Sequence, residues 1–184
     1  MKEHWYLTEL LNMSKLQIII APDNRLLKIS KPVSEINKKI RVLLDDMLET
    51  MYESNGIGLA APQVGILNRM IVMDCSDKNN KREALKFINP EILEMSQNKS
   101  EFEEGCLSLP TQFAKVERPE TIFLQYEDET GKKNKKKFSG IEAICLQHEI
   151  DHLNGKLFVD HISKLKRNRI IQKLKKYKKQ INKT

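Results

Sequence analysis

The pentapeptide His148-Glu149-Ile150-Asp151-His152 constrains this chain more than any other segment. On an α-helix, side chains four residues apart share a face. Two imidazoles at this spacing can therefore hold one metal ion, with Glu149 beside them to take a proton from an activated water. The plain alternative is a helix with two incidental histidines. The chain has only 4 histidines, and two of them form this pattern, which favours the metal reading. The other two, His4 and His161, lack a metal-ligand context and read as surface or structural residues. The flanks predict a helix over about 141–154. Ser139 and Glu142 have capping-box spacing, and Gly155 is placed as the stop.

Two imidazoles need at least one further protein ligand. Downstream of His152 the only candidate histidine is His161, and there is no Glu. Upstream lies Glu104-Gly105-Cys106-Leu107-Ser108-Leu109-Pro110. Glycine before Cys106 and proline after it predict a constrained loop suited to presenting a thiolate. A Cys-His-His set leaves one position open for water, as catalytic rather than structural sites do. Of the other cysteines, Cys75 reads as a buried small hydrophobe. Cys145, one turn ahead of His148, is expected to line the site without binding the metal. Three irregularly spaced cysteines do not make a disulfide framework and suit a reducing compartment.

The remaining pattern is that of an α+β domain. Apolar residues at helical spacing predict a first helix over 34–54, with Ser34 as N-cap and Asn55-Gly56 as stop. A glycine-punctuated loop follows, from Gly56 to Gly65. Short strands are predicted at 70–74, 86–89 and 121–126, with a return strand near Lys136 and Phe138. A third helix is predicted over 163–181. The apolar faces of the first and third helices are expected to pack on the sheet. With 184 residues, 40% of them apolar, and no repeat or linker, residues 13–184 read as one domain, preceded by an N-terminal extension at 1–12. Glu3, His4 and Glu9 exclude a signal peptide there. No segment reaches the roughly 18 apolar residues of a membrane span. From Ile162 onward there are eight Lys, two Arg and no acid, so the whole net charge of +7 comes from the tail. That asymmetry points to a local polyanionic partner.

Three segments together resemble the signature motifs of peptide deformylases, in the family's order and at compatible spacing. They are Gly56-Ile57-Gly58-Leu-Ala-Ala-Pro-Gln63, Glu104-Gly105-Cys106-Leu107-Ser108 and Gln147-His148-Glu149-Ile-Asp-His152. The likeness extends from Ile20 through Asp160. It implies a fold of short antiparallel sheets around a central helix carrying the His-Glu-x-x-His motif, with a C-terminal helix after it. It implies hydrolysis of the formyl group from the N-terminal formyl-methionine of nascent polypeptides.

The resemblance assigns Cys106, His148 and His152 as ligands to one divalent metal, and Glu149 as the catalytic acid/base. Gln63 and the backbone N–H of Leu107 become donors to the attacked carbonyl oxygen. Ile57, Phe102, Gly105, Ile141, Ile144 and Cys145 fall where the family lines its methionine pocket, and Gly58 would let substrate backbone approach closely. Glu104 resembles a carboxylate that braces the active-site loop through Arg118. Phe113 departs from the family pattern, in which many bacterial members carry a basic residue. The donor set suits Fe(II), Zn(II), Ni(II) or Co(II), and the resemblance implies Fe(II) in the cell. It also implies a bacterial cytoplasmic setting, with the basic helix at 163–181 contacting the ribosome near the exit tunnel. Two rivals are a protease using the same motif on internal peptide bonds and a non-enzymatic RNA-associated module. The cysteine segment opposes the first, and the intact triad with Glu149 opposes the second.

Overall fold

The computed structural model describes residues 16–76 and 81–181. The expected extension at 1–12, including His4, lies outside these residues. The first helix among the described residues, α1, spans Lys38–Glu53 and buries Leu44, Met47, Thr50 and Met51 on one face. Its cap is Asn37, not the expected Ser34. Asn37 is extended, and its side-chain oxygen accepts the Ile40 N–H at 3.2 Å, the contact that satisfies a free N-terminal donor. The predicted stop is in place: Asn55 turns left-handed at φ 56°, and the Gly56 N–H returns to the Met51 carbonyl at 2.9 Å.

Five strands form an antiparallel sheet in the order β1-β2-β3-β6-β7. They are β1 Gly58–Ala60, β2 Met70–Met73, β3 Leu85–Met95, β6 Thr121–Glu127 and β7 Lys133–Ser139. A separate hairpin pairs β4 Lys99–Cys106 with β5 Leu109–Pro119. This hairpin replaces the constrained loop expected around Cys106. The segment from Gly56 to Gly65 is likewise more ordered than a loop, because it holds β1 and a 3-10 turn at Ala61–Val64.

The central helix, α2, spans Gly140–Leu153 and buries ten of its fourteen residues. Ala143, Leu146, Ile150 and Leu153 pack into one cluster with Ile71, Met73, Phe87, Leu124 and Phe138 of the sheet. Ser139 does precede this helix, but its side chain makes no cap bond, so the expected capping box does not form. The chain enters the helix through Gly140 at φ 56°, which carries Ser139 away from the first turn.

The last helix, α3, spans Lys164–Ile181. Only α1 packs on the sheet as expected, through Leu44, Met47 and Met51 against Leu59, Met70, Val72 and Ile88. Helix α3 instead lays Ile170 and Leu174 against Ile19, Leu26, Leu109, Val116 and Phe158, the layer built on the hairpin. Leu165, Tyr177 and Ile181, further apolar residues of this helix, are exposed. Lys178 ties the helix down by donating to the Ile20 and Pro22 carbonyls, each at 3.2 Å. No helix among the described residues is long and apolar enough to cross a membrane.

Candidate metal centre

Pairing of β4 with β5 holds the end of β4 over helix α2, and this brings distant residues together. One ligand atom each from Cys106, His148 and His152 lies within 4.8 Å of the others. Cys106 Sγ stands 3.2 Å from His152 Nε2. A thiolate at ~2.3 Å and an imidazole at ~2.0 Å from one tetrahedral ion stand roughly 3.5 Å apart, so the donor set fits a single ion of this kind. His148 turns its Nδ1 to Glu104 Oε2 at 2.8 Å, which leaves Nε2 for the cluster. Arg118 grips Glu104 with two bonds, Nε to Oε1 at 2.5 Å and Nη2 to Oε2 at 3.0 Å. The brace expected between Glu104 and Arg118 is therefore present. These contacts push the two imidazoles apart electrostatically. Burial alone would lower the pKa of His148, but Cys106 and Glu104 outweigh it and raise it well above the usual value. Burial and neighbouring His148 hold His152 well below it.

Glu149 is buried on the same helix, and its Oε2 has no hydrogen-bond partner. Burial raises its pKa to about 7, with His148 pulling down and Glu104 pushing up. A carboxyl poised there can both accept and return a proton near neutrality. Gly58 is close to it. A Cβ at Gly58 would stand 2.6 Å from Cys145 Sγ and 2.7 Å from Glu149 Oε1. The missing side chain thus makes room for the protein's own acid and thiol, a packing need the reading of Gly58 as a substrate contact did not include. Gln63, also buried, accepts the Ala60 N–H at its Oε1 at 2.7 Å. That bond orients the amide so that Nε2 faces Cys106 Sγ at 3.5 Å.

A cavity of about 420 Å³ opens beside this cluster. Phe102, Ile144 and Cys145 line it, and so do Gly105 and Leu107. Ile57 and Ile141 also line it, but they are 41% and 46% exposed and form its rim with Phe113. Cys145 keeps to the wall, donating weakly to the Ile57 carbonyl at 3.7 Å, and stays outside the ligand cluster. Cys75 is only half-buried, packed at the edge of the α2 core, so it is not the fully buried hydrophobe expected. Its position just beyond β2 explains this.

Two features were not read from sequence. Thr111, which lines the cavity, has φ 61°, rare for a β-branched residue. It sits where β5 loops out, Gly105 pairing with Phe113 while Cys106 pairs with Leu109. Asp151, between Ile150 and His152 of the motif, accepts from Arg118 Nη1 at 2.8 Å and from His161 Nε2 at 2.7 Å. No local sequence pattern signals this pairing, because both partners of Asp151 are distant in sequence or reached only through the turn after α2.

The chain matches the family model for polypeptide deformylase over residues 15–168. It is 48% identical over 165 residues to a peptide deformylase of Bartonella quintana (strain Toulouse), covering 90% of this chain and 94% of that protein. Among solved structures, a peptide deformylase from Legionella pneumophila superposes with a TM-score of 0.86 at 43% identity, covering 93% of this chain and 99% of that one. A peptide deformylase from Ehrlichia chaffeensis, in complex with actinonin, superposes with a TM-score of 0.85 at 43% identity, covering 89% of this chain and 98% of that one.

Proposed function

This chain belongs to the peptide deformylase family and removes the formyl group from N-terminal formyl-methionine, and we propose that it does so at the Cys106–His148–His152 cluster with Glu149 as the acid/base. The family is metal-dependent, and this cluster could hold the ion. The observation that carries the reading is the convergence of three ligand atoms beside a buried carboxylate oxygen that has no other partner.

Cys106, His148 and His152 would hold a divalent ion, which would supply the Lewis acidity that makes water nucleophilic near neutral pH. The thiolate ligand adds negative charge and works against that activation, so a base is needed beside it. Glu149 takes the water proton at its carboxylate and returns it to the departing amine nitrogen. The formyl oxygen gains negative charge as attack proceeds. Gln63 Nε2 and the Leu107 backbone N–H donate to that charge, each donor contributing on the order of 3 kcal/mol. The bond between Ala60 and Gln63 Oε1 supports this role, because it fixes the amide before substrate arrives. The methionine side chain enters the cavity lined by Phe102, Ile144 and Cys145, with Gly58 and Gly105 at its walls and Ile57 and Ile141 at its mouth. Formate and a free N-terminal methionine leave.

Fe(II) is the ion used in the cell on this reading, with Zn(II), Ni(II) or Co(II) able to replace it in purified protein. Residues 13–184 act as one domain in the bacterial cytoplasm. Helix α3 carries the basic surface that meets ribosomal RNA near the exit of the nascent chain. Its lysines and arginines supply the charge, and phosphate neutralisation makes the contact salt-dependent.

Glu149→Ala tests the division of roles. The variant should keep one ion per chain while formate release falls about 1000-fold. Loss of the ion instead would show that Glu149 is a ligand and that the assignment is wrong.

A further inference from the structure

The 3-10 turn at Phe158–His161 follows α2 and leads into α3. It reaches the metal-site helix at two points. At its start, the Phe158 ring stacks on the His148 ring, with centroids 6.1 Å apart and planes 22° from parallel. At its end, His161 Nε2 bonds Asp151 Oδ2 at 2.7 Å. The same Asp151 oxygen accepts from Arg118 Nη1 at 2.8 Å. Arg118 in turn holds Glu104, and Glu104 holds His148 Nδ1 at 2.8 Å. A continuous chain of short polar contacts therefore runs from His148 to a histidine whose side chain is 33% exposed.

Each link has a directional reason. The Arg118 and Glu104 side chains are each only 5% exposed, so neither finds water as a substitute partner. Asp151 is the more exposed of the two carboxylates in this network, at 16% against 5% for Glu104. It is the member able to swing away, and His161 is the second donor that keeps its Oδ2 in place. The turn is itself pinned. Asp160 accepts the Leu157 N–H at 2.9 Å and Arg167 Nε at 2.7 Å, so His161 reaches Asp151 from a fixed backbone.

We propose that His161 is a positioning residue for the metal centre: through Asp151 and Arg118 it locks the Glu104 carboxylate that orients His148, while Phe158 of the same turn fixes the ring face. This rests on the reading of Cys106, His148 and His152 as ligands. With the His161 donor gone, Asp151 relaxes toward solvent and Arg118 loses one of its two anchors. Glu104 then samples orientations in which His148 is less well aimed, and the ion leaves more readily. Direct hydrogen-bond partners of metal ligands are worth about 10–100-fold in metal affinity. A residue three links further out should act more weakly.

The test is the rate at which a chelator strips Zn(II) from protein loaded with one equivalent. His161→Phe should release the ion about three- to ten-fold faster than wild type, below the range for direct ligand partners. His161→Gln, which restores an N–H donor, should return the rate close to wild type. Ile88→Val, in the core between α1 and the sheet and away from both the turn and the polar contacts, should lower the thermal midpoint while leaving zinc release unchanged. If His161→Phe does not fold, Asp151→Asn, of equal size, carries the same expectation of faster release. Unchanged release from His161→Phe, or equal acceleration in Ile88→Val, would overturn the proposal. Wild-type protein that holds no zinc at all would fail the ligand assignment instead, and the two failures are distinguishable on one plate.

Discussion

Replacing Gly58 with alanine adds one methyl group at the most crowded point of the site. Gly58 lies in β1, outside the left-handed region, so the backbone itself accepts alanine. The new carbon would stand 2.6 Å from Cys145 Sγ and 2.7 Å from Glu149 Oε1. Ordinary contact lies near 3.5–4.0 Å, so the deficit is about 1 Å. Cys145 and Glu149 are both buried on one rigid helix and cannot swing into solvent. The overlap must move the carboxylate, the helix or β1. Misplacement by about 1 Å can cost about 100-fold in rate, or about 2.7 kcal/mol of transition-state stabilisation. Overpacking of this kind also costs about 1–3 kcal/mol of stability. The assay is kcat for formate release from a formyl-Met-Ala peptide, with metal content measured on the same sample. The metal ligands are not among the atoms met, so the ion should remain. Gly105→Ala is the matched control. Its Cβ would meet the Phe113 ring at 2.6 Å, but that ring is 64% exposed and can turn outward, so its loss of kcat should be well below that of Gly58→Ala. Wild-type kcat in Gly58→Ala, or equal damage in Gly105→Ala, would refute the steric argument.

Two further outcomes follow from the centre and the tail. Truncating the chain at Lys173 would remove the fully buried Leu174 and the Lys178 bonds, so charge removal is the cleaner perturbation. Changing exposed Lys175, Lys176 and Lys179 to Gln should weaken ribosome association and flatten its log–log salt dependence by about 2–3, with turnover of small formyl peptides unaffected. An unchanged salt slope in a sedimentation assay would remove α3 as the docking element. If the native ion is Fe(II), air should inactivate the enzyme by oxidising the iron or Cys106, and Ni(II) or Co(II) forms should last longer; equal lifetimes would argue against iron.

The helices and the ligand spacing are legible from local signals. Apolar residues at helical intervals place α1 to within a few residues, the motif with its flanking Ser139 and Gly155 places α2, and the four-residue spacing of His148 and His152 is itself the ligand geometry. The β4–β5 hairpin was not legible. Along β4 the sequence runs Lys-Ser-Glu-Phe-Glu-Glu-Gly-Cys, with Phe102 the only large apolar residue, so no alternation stands out. β5 is interrupted where it loops out at Thr111. The cap of α1 was misplaced because Ser34 and Asn37 are both good caps, and only the conformation of the residues between them decides. His161 read as structural with no partner named. Its partner Asp151 comes within reach only because the chain folds back through a 3-10 turn, and no local pattern encodes that approach.

The most direct test of the account is a metal titration followed by formate release. Protein stripped of metal with a chelator under anaerobic conditions would receive Fe(II) in steps, with the initial rate on a formyl-Met-Ala peptide read at each step. The account predicts a rate that rises linearly and breaks at one ion per chain, and no such rise in Cys106→Ala. A break at any other stoichiometry, or metal-independent formate release by the stripped protein, would contradict it.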